Sequence, residues 1–374
     1  MKSRLILIRQ KYTPFGGAER FLERALSGLS AEGVKLSVIA RDWQPQDGVE
    51  LIPCRPFHIG RTWRDSAFAR CACRHVAAHP DALVQAHERL SCCDIFRAGD
   101  GTHRGWLYQR ARARGWRDRW LQSFSPYHQH ILRAERSMFL SPRLKAVICN
   151  SRLIRDEIHR FYGVDETKLH VIYNGVDTQR FHPRLRALRE TTRRAFGIPS
   201  QSLLYLFVGS GFERKGVDAL LEAFARQPDD AHLLVVGKER HIDHYRRKTQ
   251  RLSLASRVIF TGPRTDVERL YGAADVFVLP TLYDPFPNAA LEAMASGLPL
   301  VTSYQCGASD FIRDGENGSV CDALDIVALA DRLHALRDPE LRTQFGESMR
   351  ELANTLDIGS MSRRLLELYG SLLK

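Results

Sequence analysis

Short apolar runs of strand length alternate with helical patterns from one end of the chain to the other. The runs cover residues 5–8, 34–40, 82–86, 94–97, 146–149, 203–208, 233–236, 258–260, 276–279 and 298–302. After the first run, apolar residues between positions 18 and 29 recur at helical spacing. Because parallel strands are joined by crossover connections that usually contain a helix, this alternation predicts an α/β protein built on parallel sheets.

A polar, arginine-rich stretch interrupts the alternation between the turn at residues 174–177 and residue 194. A chain of 374 residues also exceeds the usual size of one domain, about 100 to 200 residues. We therefore predict two doubly wound parallel-sheet domains, over residues 1–175 and 176–355. Ligands of such sheets bind outside the carboxyl ends of the strands, so two facing domains would form a cleft.

One segment, residues 283–297, sets two acids eight residues apart where a loop becomes a helix. Asp284 lies in a proline-containing loop, whereas Glu292 lies about two turns into a helix-forming run. The backbone N–H groups near Asn288 and Ala289 would point toward the loop, where the helix dipole favours an anion. These features predict a site for hydroxyl groups beside a phosphate. The alternative is an ordinary loop aspartate followed by a solvated helix glutamate.

The turn after residues 203–208 has the sequence GSGFERKG and delivers two adjacent cations before a helix. Gly209 would allow the backbone to approach a ligand closely, and Arg214 and Lys215 can neutralise a diphosphate. The turn is neither a Walker A motif nor G-x-G-x-x-G, so a purely structural loop is the alternative. Gly16 and Gly17, just before the first helical pattern, predict a second close approach of backbone to ligand.

A polar loop follows residues 94–97 and contains Asp100, with His103 close behind. Because the loop ends a predicted strand, it would lie at the ligand-binding edge of the first sheet. Asp100 is a candidate base, and both residues are candidates for holding an acceptor. An Asp-Gly turn without a chemical role is the alternative.

The formal net charge of +12 is concentrated in one part of the chain. Residues 97–136 contain nine arginines against three acids, a local surplus of +6, with tryptophan and tyrosine interspersed. This combination is typical of proteins that bind an anionic membrane surface. The predicted membrane residues are Arg104, Trp106, Arg110, Arg112, Arg114, Trp116, Arg117 and Trp120. A phosphorylated acceptor, a solvated basic face and nucleic acid are the alternatives, with nucleic acid the least expected.

The eight cysteines show no paired C-x-x-C spacing. This argues against a zinc module and agrees with a reducing compartment, so we expect most of them to be small buried apolar residues. No apolar run approaches the roughly 18 residues of a membrane-spanning helix. The apolar run at residues 5–8 is too short for a signal-peptide core, and we expect the protein to stay in the cytoplasm.

Taken together, these segments resemble glycosyltransferase family four over nearly the whole chain. The two acidic positions of the family's Glu-x7-Glu motif fall at Asp284 and Glu292, where Asp284 is a departure one methylene shorter. Residues 174–177, 212–216 and 314–318 also look like family sequence. The resemblance implies two Rossmann-like domains facing across a cleft, the GT-B arrangement. The first would bind the acceptor and the second the nucleotide sugar. A C-terminal helix within residues 356–374 would pack back on the first domain.

Within this family, residues 11–17 and 209–218 look most like bacterial lipopolysaccharide core transferases of the glucosyltransferase I type. That similarity implies retaining transfer of a hexose from a UDP-sugar, with UDP-glucose the expected donor, to the heptose region of the core. The enzyme would be attached to the inner face of the cytoplasmic membrane through the basic segment. One alternative is transfer from UDP-N-acetylglucosamine or another UDP-sugar to a different glycan or lipid. A non-catalytic module that binds membrane or nucleic acid is an alternative from another class.

The resemblance also implies how the leaving group would be handled. Arg214 and Lys215 would stabilise the departing diphosphate, aided by backbone groups at Asn288 and Ala289 and by the first glycine loop. The chain contains no D-x-D sequence, so a metal-bridged diphosphate is not expected, and neither is any other cofactor.

Three acids receive roles from the same resemblance. Glu292 would take the ribose hydroxyls, and Asp284 the hydroxyls of the donor sugar. With retention, the acceptor hydroxyl would attack on the face of the leaving group. Its proton would pass either to a phosphate oxygen or to Asp100, and the sequence leaves both possibilities open.

Overall fold

The computed structural model describes residues 4–11, 35–43 and 48–373, except the side chain of Arg119. The chain forms two compact units, which we call unit 1 (Met1–Asn174 with Ile358–Lys374) and unit 2 (Gly175–Asp357). The domain boundaries predicted from the sequence, after residues 175 and 355, lie close to these. The predicted helix at residues 18–29 and the pair Gly16 and Gly17 lie outside the described residues.

The described strands form one sheet in each unit. Those of unit 1 are β1 (Arg4–Ile8), β2 (Lys35–Ala40), β3 (Val49–Pro53), β4 (Leu83–Ala86), β5 (Ile95–Arg97), β6 (Ala146–Cys149) and β7 (Leu169–Val171). Those of unit 2 are β8 (Leu203–Val208), β9 (Ala231–Val236), β10 (Val258–Gly262), β11 (Val276–Leu279), β12 (Leu300–Ser303) and β13 (Ser319–Cys321).

Helices occupy most of the connections between these strands. The α-helices of the described chain are α1 (Gly60–Ala77), α2 (His103–Arg114), α3 (Trp116–Ser123), α4 (Pro126–Phe139), α5 (Arg152–Tyr162), α6 (Arg189–Ala195), α7 (Val217–Phe224), α8 (Ile242–Arg251), α9 (Val267–Ala273), α10 (Asn288–Ala295), α11 (Ile326–Ala335), α12 (Pro339–Thr355) and α13 (Ile358–Leu373). Short 3-10 helices lie at Glu166–Lys168, Pro183–Leu188 and Gly307–Phe311. None of the helices in the described part of the chain has the length and apolar character that crossing a bilayer requires.

Both sheets are parallel throughout. The strand order is β3-β2-β1-β4-β5-β6-β7 in unit 1 and β10-β9-β8-β11-β12-β13 in unit 2. The order therefore reverses between β1 and β4 in one sheet and between β8 and β11 in the other. These are the switch points of doubly wound sheets, outside which ligands bind. The predicted α/β fold with two doubly wound parallel sheets is confirmed.

Three strands were not predicted from the sequence, and all of them lie at sheet edges: β3, β7 and β13. Strand β3 is partly exposed along its length, and the other two are three residues long. The central strands β8 and β11 are buried almost throughout, so they appear in the sequence as continuous apolar runs. The three missed strands lack a long apolar run of this kind, because β3 is partly exposed and β7 and β13 are too short.

The C-terminal helix α13 belongs to the core of unit 1. Its residues Met361, Leu365 and Leu368 are buried in one cluster with apolar residues of β1, β2, β4, β5 and β6. The Tyr369 hydroxyl donates to Gln85 Oε1 at 2.6 Å, and both residues are buried. Because a buried polar group needs a partner, this bond fixes the position of the helix on the sheet.

The arginine-rich stretch before β8 is organised by one buried acid, Asp275, which directly precedes β11. Its carboxylate accepts from Arg189 and Arg193, each at 2.7 Å, and from Arg186 at 3.4 Å. The N–H of Leu204, in β8, also donates to it at 2.9 Å. Burial raises the pKa of Asp275, but the hydrogen bonds and the positive charges outweigh burial and hold the pKa below its ordinary value. The cluster ties α6 and the preceding 3-10 helix to the sheet.

The cysteines divide into two groups. Disulfide bonds join Cys54 to Cys71 and Cys73 to Cys92, whereas Cys93, Cys149, Cys306 and Cys321 are free and buried. The prediction of small buried apolar residues is therefore right for the free group and wrong for the bonded group, and the two disulfide bonds do not fit the expected reducing compartment. Helix α1 brings both bonded pairs together, with Cα–Cα distances of 6.1 and 5.7 Å. The partners are 17 and 19 residues apart in sequence, so local spacing could not reveal the pairing.

Candidate functional site

The glycine-rich loop between β8 and α7 lies at the switch point of the unit 2 sheet. Gly216 ends this loop with φ of 75°, and a Cβ atom there would lie 1.8 Å from the carbonyl oxygen of Pro280. Gly237, after β9, is also constrained, because its Cβ atom would lie 1.9 Å from the carbonyl oxygen of Gly209. No side chain fits at either contact, so glycine allows the loop to lie directly against the ends of β9 and β11.

Arg214 fastens this loop to the loop that follows β11. Its Nη1 donates to the carbonyl of Tyr283 at 3.1 Å. Its own carbonyl accepts from the N–H of Leu282 and from the hydroxyl of Thr281, each at 2.9 Å. The side chain is half-buried, so the guanidinium is positioned by the protein and still reaches solvent at the switch point.

Lys215 and Asp284 form a buried ion pair between the same two loops. The ammonium donates to Oδ2 of the carboxylate, and the residues are only 8% and 5% exposed. The main chain of Asp284 is also fixed: its N–H donates to Gln305 at 3.0 Å and its carbonyl accepts from Gly307 at 2.8 Å. Removing either charge would leave the other buried without its partner, which is strongly unfavourable. An ammonium has three donors, so Lys215 can hold Asp284 and donate to a phosphate as well.

Helix α10 begins just beyond this ion pair, with Pro287 at its N-cap position. A proline side chain has no hydrogen-bonding group, so Pro287 makes no side-chain cap here. Asn288 is exposed and Ala289 is half-buried, so the first turn of the helix is accessible. The positive end of a helix dipole at an accessible N-terminus stabilises an anion. Two side-chain cations and a helix N-terminus therefore share one end of the unit 2 sheet.

Glu292 lies in the middle of α10 and is held by a tyrosine of α9. The Tyr271 hydroxyl donates to Glu292 Oε2 at 2.8 Å, and the carbonyl oxygen of Ala289 lies 3.2 Å from the same hydroxyl as a second, weaker acceptor. Tyr271 is 1% exposed and packs edge-on against Phe181. Burial and the charge of Glu292 raise the pKa of Tyr271 well above its ordinary value, so the hydroxyl stays protonated and remains a donor. The half-buried Glu292 side chain is thereby oriented before any ligand binds.

In unit 1, the loop after β5 carries Asp100 to the surface next to the first turn of α2. Asp100 is exposed, and the Gly101 that follows has φ of 70°. His103 is the first residue of α2 and is half-buried. Its Nε2 lies 3.1 Å from Nδ1 of His128. Burial, with a contribution from the nearby Arg89 cation, lowers the pKa of His103 to about 4, so the imidazole is neutral at neutral pH.

A buried glutamate of α4, Glu135, holds the start of α2 in place. Its carboxylate accepts from the backbone N–H groups of His103 at 2.8 Å and Arg104 at 3.3 Å. It also accepts from Nε of Arg89 at 2.9 Å and from the hydroxyl of Tyr162 at 2.5 Å. A carboxylate at the N-terminus of a helix is stabilised by the helix dipole. Glu135 is 1% exposed, so it positions His103 and the adjacent Asp100 loop from behind.

Comparison with known proteins identifies the family. Residues 15–180 match Glycosyltransferase Family 4, and residues 189–352 match Glycosyl transferases group 1. A probable transglycosylase of Burkholderia thailandensis is 31% identical over 308 residues, which cover 79% of this chain and 76% of that one. The chain is a family 4 glycosyltransferase.

Two further similarities extend over almost the whole glycosyltransferase. The lipopolysaccharide glucosyltransferase WaaG of Escherichia coli is 27% identical over 368 residues, 96% of each chain. The crystal structure of WaaG, at 26% identity, aligns with a TM-score of 0.82 over 97% of this chain and 99% of that one. The sequence-based assignment to family four and to a GT-B fold with two Rossmann-like domains is confirmed.

The structure brings most of the predicted site residues of the glycosyltransferase together in two places. Arg214, Lys215 and Asp284 share one network in unit 2, with Glu292 farther along the adjoining α10. In unit 1, Asp100 and His103 flank the start of α2. Two further residues were not predicted, Tyr271 behind Glu292 and Glu135 behind His103. Tyr271 and Glu135 each act through a single buried hydrogen-bonding group. One tyrosine or one glutamate on a helix forms no motif, so the sequence does not reveal it.

The predicted membrane residues fall into an exposed and a partly covered set. Arg104, Arg112, Arg114, Trp116, Arg117 and Trp120 are exposed. Trp106 and Arg110 are half-buried, and Arg110 is paired with Asp118 at 2.9 Å, so these two offer less surface to a membrane than the others. Arg97 is also only 5% exposed, so it does not contribute to the basic surface that was counted from the sequence. Helix periodicity turns every third or fourth residue inward, which charge counting ignores.

Helix α3 nevertheless presents a strongly apolar surface to solvent. Trp116 is 74% exposed, Trp120 60%, Leu121 61% and Phe124, directly after the helix, 64%. Large apolar side chains clustered at a protein surface mark an interaction site. We refer to these four residues, with the exposed Arg112, Arg114 and Arg117, as the α3 surface.

Proposed function

We propose that this glycosyltransferase moves a hexose, glucose in the first instance, from a UDP-sugar to the heptose region of a lipopolysaccharide core, with retention of configuration. The observation that carries the proposal is the arrangement at the β8–β11 switch point. There, Arg214, Lys215 and the N-terminus of α10 surround the acidic position of Asp284. The similarity to WaaG, named a lipopolysaccharide glucosyltransferase, supports the choice of substrate class.

The reaction requires a charge to be stabilised as it forms. The bond between the anomeric carbon and the diphosphate oxygen breaks, the acceptor oxygen bonds to that carbon, and UDP departs with additional negative charge. Arg214, Lys215 and the α10 dipole are preorganised for this charge, which is the arrangement that lowers the barrier of such a step. With retention, the acceptor attacks on the leaving-group face and its proton passes to a phosphate oxygen or to Asp100. No metal ion has a role in this scheme.

The remaining residues of unit 2 would recognise the donor. Glu292, oriented by Tyr271, would accept hydrogen bonds from the ribose hydroxyls. Asp284 would contact the hydroxyls of the transferred sugar while its other oxygen stays on Lys215. In unit 1, Asp100 and the neutral His103 would hold the acceptor.

Removing the Glu292 charge should weaken nucleotide binding. We expect Glu292→Gln to raise the Kd for UDP by about tenfold to a hundredfold, because hydrogen bonds to a charged group contribute roughly 1.5–3 kcal/mol. Tyr271→Phe should produce a smaller increase in the same direction, since it frees the Glu292 side chain without removing it. Isothermal titration of each variant with UDP measures both effects. Unchanged affinity in Glu292→Gln would contradict the ribose assignment.

A donor screen tests the proposed reaction. UDP release would be measured with UDP-glucose, UDP-galactose, UDP-N-acetylglucosamine and UDP-glucuronate, with and without heptose-terminated lipopolysaccharide lacking outer sugars. We expect UDP-glucose to give the fastest acceptor-dependent release, an α-linked product by NMR, and no loss of rate in EDTA. If none of the four UDP-sugars gives UDP release, the enzyme proposal is refuted. A product with inverted configuration would refute retention. A rate that is restored only by added Mg²⁺ would refute the metal-independent scheme.

We also propose that the protein works as a peripheral protein on the inner face of the cytoplasmic membrane, through the α3 surface. Exposed tryptophans surrounded by arginines supply both an apolar contribution and attraction to anionic lipid headgroups. The attachment should weaken as salt screens the headgroup charge. Attachment would bring the enzyme to a lipid-linked acceptor at the same membrane surface.

A further inference from the structure

A second group of apolar side chains lies exposed in unit 1, outside the predicted membrane segment. Phe57 is 76% exposed, Ile59 70% and Trp63 44%. The Phe57 and Trp63 rings contact each other edge to face, with centroids 5.7 Å apart. The three residues lie in the connection from β3 into the first turn of α1. We refer to them as the α1 patch.

The sequence around the α1 patch has one sign of charge. Residues 54–64 contain Arg55, Arg61 and Arg64 and no acid. Arg55 and Arg61 are exposed, whereas Arg64 pairs with the neighbouring Asp65 at 2.9 Å. Exposed aromatic residues beside exposed cations match the composition of an interface with anionic lipid.

A cation–π contact links the start of α1 to the start of α4, which directly follows the α3 surface in the chain. The Arg61 guanidinium lies over the ring of Tyr127, 4.6 Å from its centroid, and Tyr127 is in the first turn of α4. Phe124 precedes that turn and packs against Trp120 at a centroid distance of 4.9 Å. Of the twelve large hydrophobic residues that are exposed in the described chain, eight lie between residues 57 and 124. The exposed apolar surface of unit 1 is therefore concentrated in α1, α2, α3 and the segments that border them.

We propose that the α1 patch is a second contact with the anionic membrane surface, made together with the α3 surface. The inference rests on the proposed membrane attachment and extends it to a segment with a different place in the sequence. A single inserted helix would leave unit 1 free to rotate about the helix axis. Two separated contacts fix how the unit is oriented on the bilayer, and with it the direction in which the Asp100 and His103 loop faces.

Vesicle co-sedimentation separates the two contacts. The variants are Phe57→Ser/Ile59→Ser in the α1 patch, Trp116→Ser/Trp120→Ser in the α3 surface, and Leu140→Ser as a matched control. Leu140 is 56% exposed but lies at the other end of α4 from Tyr127. With vesicles containing phosphatidylglycerol, we expect the α1 patch variant to bind roughly tenfold or more weakly, from the transfer free energy of a buried Phe or Ile side chain. Leu140→Ser should bind like the unaltered protein.

A probe at position 59 gives a second, independent measurement. The four free cysteines are buried, so Ile59→Cys can be labelled selectively with the environment-sensitive fluorophore NBD under non-reducing conditions. Its emission should increase and shift to the blue when anionic vesicles are added, and the same label at Leu140→Cys should not respond. UDP release in the absence of vesicles should be unchanged in both variants, since neither residue belongs to the catalytic machinery.

The outcomes distinguish this inference from the proposals on which it rests. If the α1 patch variant binds vesicles normally and the label at position 59 is silent, the inference is wrong, even when Trp116→Ser/Trp120→Ser abolishes binding. If the unaltered protein does not bind anionic vesicles, the membrane proposal and the inference both fail. The glycosyltransferase proposal would stand in that case if acceptor-dependent UDP release is observed. Binding that is lost only in the α1 patch variant would contradict the two-contact inference, because the α3 surface would then make no contribution.

Discussion

Lys215→Met should lower the rate of sugar transfer by about 10²- to 10³-fold, the loss that follows removal of one preorganised donor to a developing negative charge. The residue is 8% exposed and is held in place by Asp284, so the flexible side chain is already ordered when the substrate binds. Methionine keeps the length and the apolar stem of lysine without its charge. The measurement is kcat for UDP release with the preferred donor and acceptor.

The ion pair complicates this variant, because removing Lys215 leaves Asp284 buried without its partner. Breaking a buried pair typically destabilises a protein by about 3–5 kcal/mol, so part of any activity loss could come from misfolding. The double variant Lys215→Met/Asp284→Asn neutralises both side chains and should recover much of the stability in a urea titration. Its kcat should remain low. If the double variant recovers activity together with stability, Lys215 has a structural role only.

The sequence was sufficient to predict the fold because the central strands are buried on both faces. Burial makes β8 and β11 continuous apolar runs, and the chain order of such runs and helices predicts parallel pairing. Parallel pairing also places the loops after β8 and β11 at the same edge of the sheet, where ligands bind. The pairing of Lys215 with Asp284, 69 residues apart, could not be predicted in this way, because the strand order that places their loops side by side is set by the packing of the sheet. Their assignment to one site came from the resemblance to family four.

The residues that support the site could not be predicted in this way. Tyr271 and Glu135 each approach their partners from a different helix, and the partner is chosen by packing rather than by spacing in the sequence. The loops carrying Arg214 and Asp284 are also tied by backbone carbonyls, which any residue type supplies. The α1 patch was missed because Phe57, Ile59 and Trp63 are an ordinary apolar group in the sequence. Only their exposure distinguishes them from core residues.

Asp275→Asn should be among the most destabilising single substitutions in unit 2, lowering the free energy of unfolding by about 3–5 kcal/mol. Arg193 is fully buried, and its charge is balanced by Asp275 at 2.7 Å. Arg189 and Arg186 contact the other carboxylate oxygen, so the amide would face three guanidinium groups with no negative charge. Asparagine has nearly the same shape, so the effect isolates charge from packing. Urea denaturation at pH 7 measures it.

The pH dependence of this difference provides the check. Because the pKa of Asp275 in the folded state is below its ordinary value of 3.8, the carboxylate contributes its full stabilisation above about pH 4 and loses it as the pH falls through the folded-state pKa. The difference between the unaltered protein and Asp275→Asn should therefore shrink in acid. Asp230→Asn is the matched control, since its bidentate pair with Arg337 lies at the surface and should contribute only about 0–1 kcal/mol. Equal effects of the two substitutions at pH 7 would show that the cluster around Asp275 is not what holds the arginine-rich stretch to the sheet.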